Sequence, residues 1–469
     1  MSGSNRLPAE FLTRLAAVVG KEDLYTDPGD RWPYSYDNSR RQAEPDAVAF
    51  PASHGEVVQI VHLCNEFKVP LTCRGLGSST TGSAVPIQGG LVLALERMNR
   101  IIAVDGANRA LVVECGATNA AVQEAAGKAG FFWAPDPTSA GYSTVGGNLA
   151  CGAGGPHAVK YGTARDNVLG LKAVLGSGQE LNAGVYTTKG AMGYDFTRLL
   201  IGSEGTLAVI TEATLKLTPK PQAVRTLRAL YADMTAAAAA VSRIMAQPVT
   251  PCVLEFLDGA AIGMIRGYAG NDLPADAGAM LLIEVDGAPS QLDDAAAAVE
   301  KAAQGAGCMD FRAARDEKEA TTLWTARRAL SPALRKIAPK KINEDVVVPV
   351  SRMADFITAL AGLSKQYGVP IVNFGHAGNG NIHVNLLVDP DDAVQMKNAE
   401  PCLQEVFKTV LDMRGTLSGE HGVGLAKQPF MELEFDAPTL DLMRRIKKDF
   451  DPNGILNPGK LLPDQELPV

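Results

Sequence analysis

The sequence predicts an α+β protein built from more than one domain. Three observations carry that prediction. The chain has 469 residues, more than one hydrophobic core ordinarily organises. Short apolar strands alternate with amphipathic helical stretches along most of its length. A break at 219–223, PKPQA, separates a glycine-rich first half from a second half with longer element spacing.

The elements follow in order. Residues 1–44 read as a helical cap segment. Ala47–Phe50 is a short apolar strand, and Gly55–Phe67 a helix with apolar residues at 57, 58, 60, 61 and 64. Pro70–Cys73 is a strand that runs into the loop RGLGSSTTG, and Leu91–Leu95 is the next strand. The pattern repeats at 111–133, with LVVECG as strand and TNAAVQEAAGKAG as helix. From 135 to 165 Gly, Ser, Thr and Asn dominate. Tyr142, Val145, Leu149, Tyr161 and a Pro-Asp-Pro clamp mark that stretch as loops wrapped around a ligand, not a floppy linker. Strands at 168–175 and 179–182 follow, and GSEGTLAVITEATLKLTP (202–219) closes the region.

Beyond the break, MTAAAAAVSRIM reads as helix, CVLEFLD and AMLLIEVDG as strands, and SQLDDAAAAVEKAAQGAG as helix. KINEDVVVP is a strand, MADFITALAGLSKQYG a helix, and VPIVNFGH and NIHVNLLV are strands. The expectation is a second α+β domain with an antiparallel sheet. The expected divisions are a cap at 1–44, a first domain at 45–222, a second at 223–425, and a C-terminal segment at 426–469.

Composition narrows the function classes. Hydrophobic residues make up 46% and charged residues 20%, and the formal net charge is −8. Such an acidic, ordinary globular balance disfavours a dedicated nucleic-acid binder. The seven cysteines are scattered without a CxxC pair, which argues against an iron–sulfur site or disulfide framework and suits a reducing compartment. No apolar run is long enough for a membrane span, and the N-terminus lacks a cleavable leader pattern. The expected location is cytoplasmic, with peripheral attachment to a membrane only through an electron acceptor.

Five stretches rich in small residues lie in the first half: RGLGSSTTG (74–82), PDP (135–137), STVGGN (143–148), CGAGGPHAVKYG (151–162) and GSEGTL (202–207). The first follows a strand and offers successive backbone N–H groups, an anion nest suited to a pyrophosphate. It leads to another strand instead of a helix, so a Rossmann fingerprint is disfavoured. Any one loop reads equally well as a structural turn. Five of them imply a large polar ligand approaching the backbone.

The chain contains six histidines, and two of them flank the turn in NFGHAGNGNIHVN (373–385). Period-two alternation puts His383 and Asn385 on one face of the second strand. A tight connection would bring His376 beside it. His421, in SGEHGVG, follows Glu420. Two imidazoles and a carboxylate suit Zn²⁺, Mn²⁺ or Fe²⁺. The competing reading is a pair of hydrogen-bonding histidines in a polar turn. A third charged stretch, LWTARRALSPALRKIAPKKINEDVVVP (323–349), reads either as a solvated cationic helix face or as an anion site.

These loops, with GYDFTRLLIGSEGTLAVIT (193–211), EHGVG (420–424) and DPNGILNPGKLL (451–462), closely resemble the vanillyl-alcohol oxidase/p-cresol methylhydroxylase superfamily. Within it the chain resembles the FAD-linked D-2-hydroxyacid dehydrogenases, a group with D-lactate dehydrogenase, the glycolate oxidase flavin subunit and D-2-hydroxyglutarate dehydrogenase. The resemblance implies a two-part FAD-binding domain, an α+β substrate domain and a tail returning to the flavin. It places FAD, held non-covalently, against Arg74, Gly75, Gly77, Ser78, Ser79, Thr80, Pro135, Thr144, Gly147, Asn148, Gly152, Gly154, Tyr161, Gly205 and Ile210. Covalent attachment through His157 or Cys151, as some members use, is not expected.

The same resemblance assigns His376, His383 and Glu420 as ligands of a divalent metal, Zn most readily, with Mn or Fe as alternatives. His421 becomes the catalytic base, Arg327 the substrate-carboxylate partner, and Ser331 and Asn385 further site residues. Two positions depart from relatives: Asn379 stands where Asp is common, and Asn343 where 2-hydroxyglutarate enzymes carry Lys. The second departure leans toward a D-lactate-like substrate. The implied chemistry oxidises a small 2-hydroxyacid, with the metal acidifying the hydroxyl, an imidazole taking its proton, and FAD accepting the hydride at N5. Electrons would then leave to a separate quinone, cytochrome, electron-transfer flavoprotein or iron–sulfur protein. A homodimer is compatible with the resemblance. The alternatives are an oxygen-using oxidase, a non-redox FAD enzyme of the alkyl-dihydroxyacetonephosphate synthase type and, leaving the glycine loops unexplained, a metal hydrolase.

Overall fold

The computed structural model describes residues 7–266, 273–337 and 340–463, without the side chains of 331–332 and 335–337. The chain divides into two compact units, one of residues 1–154, 162–220 and 420–469, the other of 155–161 and 221–419.

The first unit contains two principal sheets. One has four strands in the order Leu24–Tyr25, Ala47–Ala49, Leu91–Ala94, Leu71–Arg74, the last three parallel. Parallel pairing needs a crossover, and the helix His54–Phe67 supplies it. Its start is capped by Ser53, which accepts from the Glu56 N–H, while Glu56 accepts from the Ala52 N–H at 2.8 Å. The C-terminal tail extends the same sheet: Leu71 N–H donates to Ile455 and Asn457 N–H to Leu71 at 2.8 Å each. The other sheet is antiparallel, in the order Ile101–Asp105, Ala110–Glu114, Ala208–Lys216, Val168–Leu175, Glu180–Gly184. One apolar core joins the two, with Leu71, Leu93, Leu111, Ala173, Val209 and Trp133 all buried in it.

The second unit is organised by a seven-stranded sheet in which every paired neighbour is antiparallel. Its order is Cys308–Ala313, Ala223–Tyr231, Ala279–Gly287, Val253–Asp258, Ile371–His376, Asn381–Val388, Lys340–Val347. The helices Met234–Ala246, Leu292–Ala303, Met353–Tyr367 and Ala393–Asp412 pack on one another and on this sheet. The helices Gly259–Ile265 and Glu317–Ile337 share a separate core with the sheet residues Leu257, Phe374 and Val372. The α+β class and the antiparallel second sheet match the sequence expectation.

One element differs from it. STVGGN reads as loop, yet Val145–Cys151 is helical. The Thr144 hydroxyl accepts from the Gly147 N–H at 3.1 Å, and Val145 and Leu149, one turn apart, are fully buried. A cap and two buried contacts outweigh the poor helix propensity of paired glycines.

Candidate functional site

In the first unit the sequence-selected loops converge. Gly75 lies so close to Thr144 that a Cβ there would meet the hydroxyl at 2.3 Å, so a glycine lets the loop pack against that side chain. Asn119 donates to the Pro135 carbonyl and to Asn148 Oδ1, both at 3.0 Å. The turn at 202–206 docks on the end of the Val145–Cys151 helix, with the N–H groups of Gly202 and Glu204 donating to Leu149 and Ala150 at 2.9 Å. Gly205 lies within that turn, and Ile210 is buried in the strand beyond it. Among the described residues, the N–H groups of Leu76–Thr80 make no hydrogen bond within the chain. That leaves a row of donors on a partly exposed loop.

Arg74 serves this loop differently from an anion ligand. Its guanidinium is buried and donates to the Tyr36 carbonyl at 2.8 Å and the Pro33 carbonyl at 3.1 Å. It braces the loop against the N-terminal segment. Tyr161 groups with the second unit, where its hydroxyl donates to Asp286.

Glu420 and His421 begin the last segment of the first unit, and Glu204 holds their loop. Its carboxylate accepts from the N–H groups of Val423 at 2.6 Å and Gly424 at 2.8 Å. Thr81 adds its carbonyl to the N–H of Leu425 at 2.8 Å. Burial pushes the Glu204 carboxyl up to about 7, against the pull of those two N–H groups and of Lys427 and Lys460.

In the second unit the strand register decides which side chains share a face. Glu255 stands opposite His376, which stands opposite Asn381. Leu257, Phe374, His383 and Asp345 form the next row, and Val372, Asn385 and Asn343 the one after. Directly paired residues point to the same side, so Glu255, His376, His383, Asn385, Asn343 and Asp345 all project to one face. The His376 and His383 rings lie 5.1 Å apart at 86°, and both side chains are buried. Gly380 makes the turn between them: its φ is +70°, and a Cβ would meet the Val348 carbonyl at 2.0 Å.

Charged partners surround this pair. Glu255, fully buried, binds His376 Nδ1 through Oε1. Through Oε2 it accepts from Arg327 Nε at 2.9 Å and Nη2 at 2.6 Å. Burial alone would raise the Glu255 carboxyl, but the charges of His376 and Arg327 hold it below the usual range. Arg327 also lies over the Phe374 ring at 4.7 Å. Asn385 Oδ1 accepts from Asn343 Nδ2 at 2.7 Å. The backbone of Ser331 lies in the Glu317–Ile337 helix, but its side chain is outside the described residues.

Two family descriptions match the sequence: "FAD binding domain" over residues 45–184, and "FAD linked oxidases, C-terminal domain" over residues 220–461. The chain belongs to the FAD-linked oxidases. The glycolate oxidase subunit GlcD of Bacillus subtilis is 39% identical over 449 residues, spanning 96% of both chains. The D-lactate dehydrogenase of Archaeoglobus fulgidus is 35% identical, over 90% of this chain and 92% of that one. Among solved structures, p-cresol methylhydroxylase with substrate bound superposes with a TM-score of 0.79 at 18% identity and 96% coverage of each chain, which establishes the shared fold.

As an FAD-linked oxidase the chain is an oxidoreductase with FAD as cofactor, and the first unit fits that group. The donors of Leu76–Thr80 suit the pyrophosphate, and the glycine at 75 permits the close packing of the loop that presents them. Among the described residues no helix is long and apolar enough to cross a membrane. Two acidic residues escaped the sequence reading, Glu204 and Glu255. Each is a charge in an otherwise apolar or small-residue stretch, and Glu255 sits in a strand buried at all six positions. A buried carboxylate there demands partners, which was the available signal.

Proposed function

We propose that this FAD-linked oxidoreductase oxidises a short D-2-hydroxyacid, D-lactate-like in size, to the 2-oxoacid. FAD, when bound, supplies the acceptor for the two electrons and the α-hydrogen. His376, His383 and Glu420 would hold a divalent cation, Zn²⁺ first and Mn²⁺ or Fe²⁺ as alternatives, whose Lewis acidity would acidify the substrate hydroxyl. The observation that carries this reading is the buried imidazole pair with His376 Nδ1 held by a carboxylate. That carboxylate–histidine arrangement is the usual support of a metal-binding imidazole. Glu420 follows directly on Gly419, whose N–H donates to the Asp345 carboxylate at 2.9 Å, and Asp345 is the residue opposite His383.

The remaining roles fall on this chain's own side chains. His421 takes the hydroxyl proton, an imidazole being a side chain suited to general-base work. Arg327, buried and oriented by Glu255, binds the substrate carboxylate. Asn385, paired with Asn343, lines the same face as His383. The relatives named glycolate oxidase subunit and D-lactate dehydrogenase support a small hydroxyacid substrate and a separate electron acceptor. The test is anaerobic: mix the yellow protein with D- and L-2-hydroxyacids and follow flavin absorbance, before and after treatment with a chelator. Bleaching by the D-isomer alone, lost on chelation and restored by added Zn²⁺ or Mn²⁺, is expected. Equal bleaching after exhaustive metal removal would eliminate the metal role.

A further inference from the structure

We infer that Glu255 is a positioning residue that couples substrate-carboxylate binding to metal binding by fixing His376 and Arg327 with one carboxylate. The inference rests on the roles proposed above for those two residues. Its basis is geometric. Glu255 lies in the strand Val253–Asp258, directly opposite His376 in the sheet register, and it is fully buried. Oε1 takes His376 Nδ1, and Oε2 takes both Nε and Nη2 of Arg327, which reaches down from the Glu317–Ile337 helix.

A carboxylate can only accept, so Nδ1 of His376 must carry the hydrogen. A neutral His376 then has its lone pair on Nε2, the nitrogen left to act as ligand. On the other side, two donors of the Arg327 fork are committed to Oε2, and the Phe374 ring stacks on the guanidinium at 4.7 Å. The plane of the fork is thereby set, and its remaining N–H groups are what an anion can use. Phe374 is also the residue opposite His383, with the two rings 5.7 Å apart. One buried charge therefore sets the tautomer of a metal-binding imidazole and the orientation of the anion-binding arginine. Filling either partner's place with substrate or metal should be felt by the other through Glu255.

The variant that tests this is Glu255→Gln. A glutamine offers one acceptor oxygen and one NH₂, so it can satisfy His376 or Arg327 but not both. With only six histidines in the chain, ¹⁵N-histidine labelling and a long-range ¹H–¹⁵N spectrum of the flavin-loaded, metal-stripped protein at alkaline pH will resolve the tautomers, His376 being assigned by its loss in His376→Gln. Expected for the unaltered protein is the Nδ1–H tautomer at His376. In Glu255→Gln, either that signature shifts toward Nε2–H, with Zn²⁺ dissociation constants raised about 10- to 100-fold, or the KM for D-lactate rises about tenfold or more while kcat changes less. Glu255→Asp keeps both acceptors and must be milder on both readouts.

A Glu255→Gln protein that holds its flavin with unchanged His376 tautomer, Zn²⁺ affinity and KM overturns the inference. So does a Glu255→Asp protein more impaired than Glu255→Gln, because space filling would then be the role. If the unaltered protein takes up no Zn²⁺ or Mn²⁺, the metal reading fails by itself, and the tautomer spectrum still decides the clamp.

Discussion

Gly75→Ala is the sharpest test of the FAD cradle, because the structure gives the size of the collision. The new methyl would sit 2.3 Å from the Thr144 hydroxyl oxygen and 3.3 Å from its Cβ and Cγ2, where ordinary contact begins at 3.4 Å. Relief requires the hydroxyl to move by about an ångström. That movement breaks its 3.1 Å bond to the Gly147 N–H, which caps the Val145–Cys151 helix. Loss of a cap costs about 1 kcal/mol, and overpacking a tight contact costs about 1–3 kcal/mol. The sum, about 2–4 kcal/mol, should lower the unfolding midpoint of the first unit by roughly 4–8 °C, at about 2 °C per kcal/mol for a unit of this size. The same movement displaces the loop whose Leu76–Thr80 donors suit a pyrophosphate, so less FAD should co-purify. The assay is differential scanning calorimetry beside the ratio of flavin to protein absorbance. Gly141→Ala is the control, since nothing lies within 4 Å of a Cβ there. A Gly75→Ala protein with full flavin content and an unchanged midpoint would refute the cradle geometry.

Other outcomes follow from the same framework. His421→Asn should lower kcat for D-2-hydroxyacid oxidation by about 10²- to 10⁴-fold while flavin content stays unchanged, and near-normal turnover would remove its role as base. Asn343→Lys replaces the amide that now donates to Asn385 at 2.7 Å with an ammonium on a longer stem. The ratio of kcat/KM for 2-hydroxyglutarate over D-lactate should rise about tenfold or more, corresponding to about 1.4 kcal/mol; a fixed ratio argues against position 343 reading the substrate. Glu204 has its carboxyl raised from the ordinary 4.5 to about 7 by burial. The folded protein therefore binds more protons than the unfolded chain between those values, and stability should fall as pH rises from about 4.5 to about 7. The swing attributable to this group is about 3 kcal/mol. Glu204→Gln should flatten that part of the stability-against-pH curve; an unchanged slope would assign it to other groups.

Much of the second unit was legible in the sequence. AMLLIEVDG predicts a strand, and the strand is Ala279–Gly287; VPIVNFGH and NIHVNLLV predict the hairpin that pairs Phe374 with His383. These are local patterns, in which period-two alternation and a short turn fix the geometry within about a dozen residues. The glycine loops were legible too, since close approach of backbone needs residues without side chains. The Val145–Cys151 helix was not, because two glycines argue for loop until Thr144 and the buried faces of Val145 and Leu149 are seen in place.

The sequence by itself determined most of the element types, the glycine-lined loops and the nearness of His376 to His383. The tertiary structure alone decided what those residues face. Arg74 donates to carbonyls at positions 33 and 36 instead of standing as an open cation. Glu255 meets a histidine 121 positions away and an arginine 72 positions away. The EHGVG loop is held by Glu204, more than two hundred residues upstream. Each of these is a buried charge whose partner comes from a segment distant in sequence, brought close by strand register, helix packing or a returning tail. Local propensity carries no information about such pairings, because the desolvation that makes a partner obligatory arises only once the core has closed.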